Sequence, residues 1–309
     1  MNYIELYVKF LKKFLKPKRM LRVVFDCSNG STGMVLRELT KFTKLNFVNF
    51  VLINEKPDGR FPAHGPNPMA EGAMDQMSKV VRREKADLGV IFDADGDRAF
   101  FMDKKGNLID PDCVAYFLMR EFKPPYVVDV RSGWILRKSP QLSSENIHPE
   151  LVEGLSKLIT SKVGHLFIKE AMRKNKASFG AEYSGHYYFK DFFYADSGIL
   201  AAIFMMNIVS RFESISYEIL KLPKYYRLLE TNFRLSDKSY EAQLRKICGV
   251  YEKRAESISW LDGLTLEFGD WWMNLRASNT EPLLRLNMEA VSESILNKNF
   301  SEIVKILRS

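Results

Sequence analysis

Three aspartates, Asp93, Asp95 and Asp97, alternate along the stretch VIFDADGDRAFF, with Arg98 directly after them and apolar residues on both sides. Read as an extended strand, that spacing keeps all three carboxylates on one face. Three like charges on one face repel unless a cation sits among them. Ligands that are all oxygen suit Mg²⁺ or a similarly hard ion, and Gly96 lets the chain curl around it. An EF-hand loop is excluded: counted from Asp93, its sixth and twelfth positions hold Arg98 and Lys104, not Gly and Glu. Arg98 also argues against a phosphatase with an aspartate nucleophile. The remaining alternative is a solvated acidic turn, which the apolar flanks disfavour.

Three further stretches carry polar side chains at useful spacing. In GAEYSGHYYF, Glu182, Ser184 and His186 alternate, so a strand would turn them one way. A carboxylate, a hydroxyl and an imidazole together suit a polyhydroxylated ligand, though an exposed edge strand would look alike. In RASNTEPLLR, Arg276, Ser278, Asn279 and Thr280 precede Pro282, and Arg285 follows. Guanidinium forks, hydroxyls and turn amides make a phosphate cradle; an ordinary Asn-containing turn is the alternative. In SKVGHLFIKEAM, His165 opens a helix, where backbone amides favour anions, although a plain helix start reads the same. The turn CSNGSTG lacks the G-x-G-x-x-G register of a dinucleotide site.

The elements that must position these residues alternate between strand and helix, which indicates an α/β layer architecture. RMLRVVFDC, NFVNFVLIN and the two arms around the aspartates read as strands, and GMVLRELTKF and MAEGAMDQMSKVVRREKA as helices. The rhythm restarts near Asp110: helix DPDCVAYFLMREF, strand PYVVDVRSG, helix HLFIKEAMRKN, strand ASFGAEYSGHYYF and the apolar helix DSGILAAIFMMNIVSRF. KSPQLSSENIHPELVEG, with His148, reads as an inserted polar surface segment, and KLPKYYRLLE as a linker. The remainder mixes helix and strand. The first twenty residues read as an amphipathic surface helix with a basic, solvated face.

The 309 residues suit two or three domains, and 46% hydrophobic with 27% charged residues is a soluble composition. No apolar run reaches a membrane span, and no signal peptide is legible. Cys27, Cys113 and Cys248 are odd in number and far apart, so a reducing, cytoplasmic setting is expected. The net charge of +8 is scattered, which argues against nucleic acid and fits anionic small substrates.

Taken in order, the acidic loop, GAEYSGH and RASNTEP resemble the α-D-phosphohexomutases, which include phosphomannomutase/phosphoglucomutase, over nearly the whole chain apart from the segment near His148. The resemblance implies two related α/β domains, residues 1–109 and 110–222, followed by a C-terminal α+β domain, residues 223–309, like the TATA-binding protein. It implies that Asp93, Asp95 and Asp97 hold Mg²⁺ and that Arg98, Arg131 and His165 are catalytic. Glu182, Ser184 and His186 would meet the sugar; Arg276, Ser278, Asn279, Thr280 and Arg285 would hold the substrate's static phosphate. SNTEP and GRFPAHGPNP favour mannose or glucose 1- and 6-phosphates. Ala94 and Ala181 stand where the family often has Gly. The family's phosphoserine loop, close to T-A-S-H-N-P, has no counterpart in the sequence. The expectation is therefore a truncated or split mutase that takes its serine domain from a separate polypeptide, or an inactive sugar-phosphate-binding protein.

Overall fold

The computed structural model describes residues 2–42, 48–138, 158–234, 240–278 and 281–308. The segment around His148, together with Asn279 and Thr280, lies outside them.

The first unit is a five-stranded sheet of order β2-β1-β3-β4-β5, from β1 (Leu21–Asp26), β2 (Val48–Ile53), β3 (Leu88–Phe92), β4 (Ala99–Met102) and β5 (Leu108–Ile109). β1, β2 and β3 are parallel, and β4 and β5 return antiparallel. The β3 run LGVIF is buried on both faces, as a strand covered by helices on each side must be. The helices are α1 (Tyr3–Leu11), α2 (Thr32–Phe42) and α3 (Asp75–Glu84).

The second unit repeats this plan. β6 (Tyr126–Asp129) pairs in parallel with β7 (Leu158–Ser161) and β8 (Phe179–Ala181), and β9 (Tyr187–Phe189) and β10 (Ala195–Asp196) follow antiparallel. Its helices are α4 (Pro111–Met119), α5 (Trp134–Arg137), α6 (His165–Asn175), α7 (Gly198–Val209) and α8 (Ile215–Leu220). α4 starts where the sequence dictates: the Asp110 side chain accepts from the Asp112 amide at 2.8 Å, with Pro111 at the first helical position. α7 is apolar apart from Asn207 and buried from Gly198 to Val209 except at Phe204. It packs against β3, β4 and α4, so one core runs through both units.

The third unit is antiparallel throughout: β11 (Tyr226–Phe233), β12 (Ser257–Ser259), β13 (Leu264–Glu267), β14 (Trp271–Ala277) and β15 (Leu284–Ala290), in the order β11-β15-β14-β13-β12. α9 (Tyr240–Tyr251) and α10 (Glu293–Arg308) cover one face and enclose a separate core.

Four sequence expectations change. ASFGAEYSGHYYF is two strands, β8 and β9, joined by a tight turn. A short strand, β7, follows the His148 segment; four residues without a strong apolar pattern left no periodic signal. Half of the expected linker is already β11, because its apolar positions pair with β15. The first helix is not simply a surface helix. Val8, Leu11 and Leu15 are buried, the Lys16 amide donates to Asn207 Oδ1 at 2.7 Å, and the Lys18 amide donates to Ser210 Oγ at 2.8 Å. Its apolar stripe therefore closes the groove beside α7. Among the described residues, no helix is long and apolar enough to cross a membrane.

Leu11→Ala should consequently cost about 2–5 kcal/mol in urea unfolding. Leu6→Ala, on the exposed face, should stay within about 0.5 kcal/mol of the parent. Equal effects would show that α1 is not docked.

Candidate active site

β3 ends at Phe92, and Asp93–Asp97 form a bent loop, not the extended strand that alternation suggested. Gly96 takes φ +80°, the left-handed region that glycine favours. The loop closes on Asp93, whose Oδ1 accepts from the amides of Gly96 at 3.1 Å and Arg98 at 3.2 Å. Arg98 Nε donates to the other oxygen at 2.6 Å. One oxygen from each of Asp93, Asp95 and Asp97 lies within 4.8 Å of the others. Burial pushes the Asp93 carboxyl up to about 6 against the pull of Arg98. Asp97 is drawn down to about 2, first of all by the facing His186.

The donor set fits a hard divalent cation. All three groups are carboxylates, and Asp97 Oδ1 is buried with no hydrogen-bond donor among the described residues. His186 Nε2 is 3.5 Å from that oxygen. The turn CSNGSTG backs the loop: the Ser31 amide donates to the Ala94 carbonyl at 2.9 Å, and a Cβ on Gly30 would lie 2.1 Å from that oxygen. A cleft of about 370 Å³ opens here, lined by Ser31, Pro66, Asn67, Asp93, Asp95 and Arg98 among others. Sequence reasoning missed Ser31 and Asn67 as site residues; the crowded glycine in SNGSTG was the available signal.

Glu182, Ser184 and His186 come together through a turn. The Glu182 amide donates to the His186 carbonyl at 2.9 Å, and Gly185 sits at φ +87°. Ser184 Oγ and His186 Nδ1 are 2.9 Å apart. Glu182 is buried and ties several elements: one oxygen accepts from the Gly164 amide at 2.9 Å and from Arg131 at 3.5 Å, the other from the Tyr188 hydroxyl. Each carboxylate oxygen can accept more than one bond, so capacity for a ligand hydroxyl remains. Gly164 is the N-cap of α6, which places exposed His165 next to this tie.

Arg131 follows β6 and is clamped by Asp129, with Nη2 to Oδ2 at 2.7 Å. Burial works against its charge, but Asp129 and then Glu182 overcome that and raise its pKa. The same Nη2 lies 3.4 Å from Ser184 Oγ.

The two loops are joined by main chain. Arg98 and His186 form an antiparallel bridge, and the Ala99 amide donates to the Gly185 carbonyl at 3.0 Å. The Gly198 amide donates to the Gly96 carbonyl at 3.0 Å. A Cβ on Gly198 would stand 2.7 Å from the Arg98 carbonyl oxygen, so the approach needs glycine.

Arg276 and Arg285 are cross-strand partners in β14 and β15. Like charges directly opposite repel. Glu230 of β11 stands between them, 3.3 Å from Arg276 Nη2 and 3.1 Å from Arg285 Nη1. Burial lowers the pKa of Arg276, and the charge of Arg131 lowers it further, so the second and third units present cations to one another. Among the described residues, the buried Nε atoms of Arg276 and Arg285 have no acceptor. Ser278 continues from β14, its Oγ accepting from the Glu281 amide at 3.3 Å. Sequence reasoning did not find Glu230, Asp129 or Tyr188, since each acts as a partner across elements and carries no local spacing.

Three family models match in succession: phosphoglucomutase/phosphomannomutase alpha/beta/alpha domain II over residues 2–106, alpha/beta/alpha domain III over 141–226, and the C-terminal domain over 230–306. A phosphomannomutase of Methanocaldococcus jannaschii is 33% identical over 318 residues, which cover 99% of this chain and 65% of that protein. The chain thus spans just under two thirds of that relative's length. The structure of a phosphoglucomutase/phosphomannomutase family protein from Burkholderia thailandensis superposes with TM-score 0.84 at 25% identity, covering 99% of this chain and 64% of that one. The fold also matches that of Aspergillus fumigatus N-acetylphosphoglucosamine mutase, solved with GlcNAc-6P and magnesium, with TM-score 0.67 at 16% identity over 99% of this chain and 65% of that one.

A further titratable pair joins the end of β1 to residue 64. His64, in the Pro/Gly-rich loop, has Nε2 3.2 Å from Asp26 Oδ2, and Asp26 Oδ1 accepts from the Ser28 amide. The bond to Asp26 raises the His64 pKa, against burial. A histidine raised on folding stabilises most below its unfolded pKa of about 6.5, and the contribution is lost as pH rises through the folded value. Urea unfolding should therefore show the parent losing stability as pH rises above the unfolded value of about 6.5, with His64→Gln flattening that slope. Parallel pH profiles for the two proteins would contradict this.

Proposed function

Because the chain belongs to the phosphoglucomutase/phosphomannomutase family, we propose that it acts on hexose phosphates as the Mg²⁺-binding part of a phosphohexomutase. The observation that carries this reading is the main-chain junction of the acidic loop with the Glu182–His186 turn, with Arg131 3.4 Å from Ser184 Oγ and Arg276 near enough to Arg131 to feel its charge. Mannose or glucose 1- and 6-phosphates are the proposed substrates.

In this reading Asp93, Asp95 and Asp97 hold the Mg²⁺, which supplies charge neutralisation to the moving phosphoryl group. Arg98 is tied to Asp93 and stands at the edge of the cleft, where it meets oxygens of the transferring group. The turn hydroxyl of Ser184 and the ring of His186 are placed to bond sugar hydroxyls, while Glu182 keeps the turn shaped and accepts from a further hydroxyl. His165 flanks the sugar at the start of α6. Arg276, Arg285 and Ser278, with Asn279 and Thr280, grip the phosphate that does not react. The Nε donors of the two arginines, without an acceptor among the described residues, match an anion's surplus of lone pairs.

The transfer moves a phosphoryl group from a phosphoserine to the sugar's unphosphorylated hydroxyl, giving a hexose bisphosphate. That species turns over, and its other phosphoryl returns to the serine. Arg131, between Asp129 and Ser184, keeps positive charge at the hinge of that rotation. The serine is proposed to come from a separate segment, and the alternative is a sugar-phosphate binder without turnover. The test is conversion of glucose 1-phosphate and mannose 1-phosphate with and without a separately expressed serine domain. Turnover in the mixture supports the mutase; saturable binding without turnover in either supports the binder.

Two measurements test the site itself. Mg²⁺ should raise Tm, since a ligand of the folded state at 100 times its Kd adds about 2.7 kcal/mol. Asp95→Asn, at an exposed position, should abolish that shift; an unchanged shift would place the ion elsewhere. Arg276→Ala should weaken hexose phosphate binding by about tenfold or more, the scale of a charged hydrogen bond, and undiminished affinity in calorimetry would remove Arg276 from the phosphate grip.

A further inference from the structure

Arg227 lies on β11, in the third unit, but its side chain ends among residues of the second. It is only 10% exposed. Nη1 donates to Asp112 Oδ2 at 2.5 Å, and Nη2 donates to the main-chain carbonyl of Arg131. The guanidinium carbon stands 3.6 Å from the centre of the Tyr183 ring. Asp112 Oδ2 in turn accepts from the Gly133 amide at 2.7 Å. Tyr183 is held at its other end by Asp110, with the hydroxyl donating to Oδ2 at 3.2 Å, and by its amide donating to Asp129 Oδ2 at 3.1 Å.

We infer that Arg227 is a positioning residue: from the third unit it fixes the Arg131–Gly133 segment and the Glu182–His186 turn, so the grip on the sugar depends on how the third unit is seated. This rests on the proposed hexose phosphate site. An ordinary strut between units needs only the ion pair with Asp112. Here the same planar group also takes the carbonyl of Arg131 and the face of Tyr183, the residue between Glu182 and Ser184. Only a guanidinium can donate in two directions in its plane while stacking on a ring; an ammonium is a compact point charge that meets one of these demands at a time. The phosphate end is built differently, since Arg276 and Arg285 are balanced by Glu230 within the third unit.

The experiment is calorimetric titration of parent, Arg227→Lys and Tyr183→Leu with glucose 6-phosphate, mannose 6-phosphate and inorganic phosphate, in the presence of Mg²⁺. Each variant's Tm is checked so that binding is measured on folded protein. Arg227→Lys should lower affinity for the hexose phosphates by about tenfold while inorganic phosphate stays within about twofold. Tyr183→Leu keeps the ion pair, should reproduce the selective loss, and decides the question if Arg227→Lys does not fold. The double variant should lose little more than either single one, as expected of residues acting through one contact. A merely structural role would lower Tm and leave the ratio of hexose phosphate to phosphate affinity unchanged, and that result overturns the inference. If the parent binds inorganic phosphate and no hexose phosphate, the site reading itself fails and the inference with it.

Discussion

The hydrogen bond from the Ala99 amide to the Gly185 carbonyl, with the Arg98–His186 bridge beside it, is the constraint on which the site depends. It joins the start of β4 in one sheet to the turn of another. Side chains alone could not hold three carboxylates beside an imidazole and a serine, because the charges repel and long side chains carry rotamer freedom. A main-chain ladder removes that freedom before any ligand arrives. Its cost appears as glycine: Gly96 and Gly185 at positive φ, and Gly198 where the two backbones meet too closely for a Cβ. The apolar helix α7 starts at that meeting point and runs through the shared core, so the junction is anchored to a deeply buried element.

Charge is distributed by the same logic. Arg131 has Asp129, Arg227 has Asp112, and Arg276 and Arg285 share Glu230. Burying any one of these alone would be prohibitive, and removing one partner of such a pair is more damaging than replacing both. The groups without partners are then informative. Among the described residues, Asp97 Oδ1 has no hydrogen-bond donor, and the Nε atoms of Arg276 and Arg285 have no acceptor. Three clustered carboxylates with a spare acceptor and two paired arginines with spare donors are the complements of a metal ion and a phosphate.

Much of this was legible in the sequence where local pattern decides structure. Alternating strands and helices, the helix beginning near Asp110 and the glycine in the acidic loop follow from residue type and period. The order of the acidic loop, GAEYSGH and RASNTEP carried the family. The geometry of the second of these was not legible, because Glu182, Ser184 and His186 alternate as they would in a strand, yet Gly185 turns the chain between them. The docking of α1, the pairing of β11 with β15 and the roles of Glu230 and Arg227 are long-range facts. They depend on partners distant in the chain, and no window of sequence contains both members. The resemblance named ligand-facing residues and was silent on those that hold them.

The most direct test of the account is hydrogen exchange at the Ala99 and Gly198 amides, which are the donors at the junction. If the acidic loop and the Glu182–His186 turn form one body, both amides exchange only through global opening, as slowly as the core strand amides of β3 and β4. Exchange at the rate of an exposed loop, with β3 and the rest of β4 still protected, would contradict it and leave the two loops as separate, independently mobile pieces.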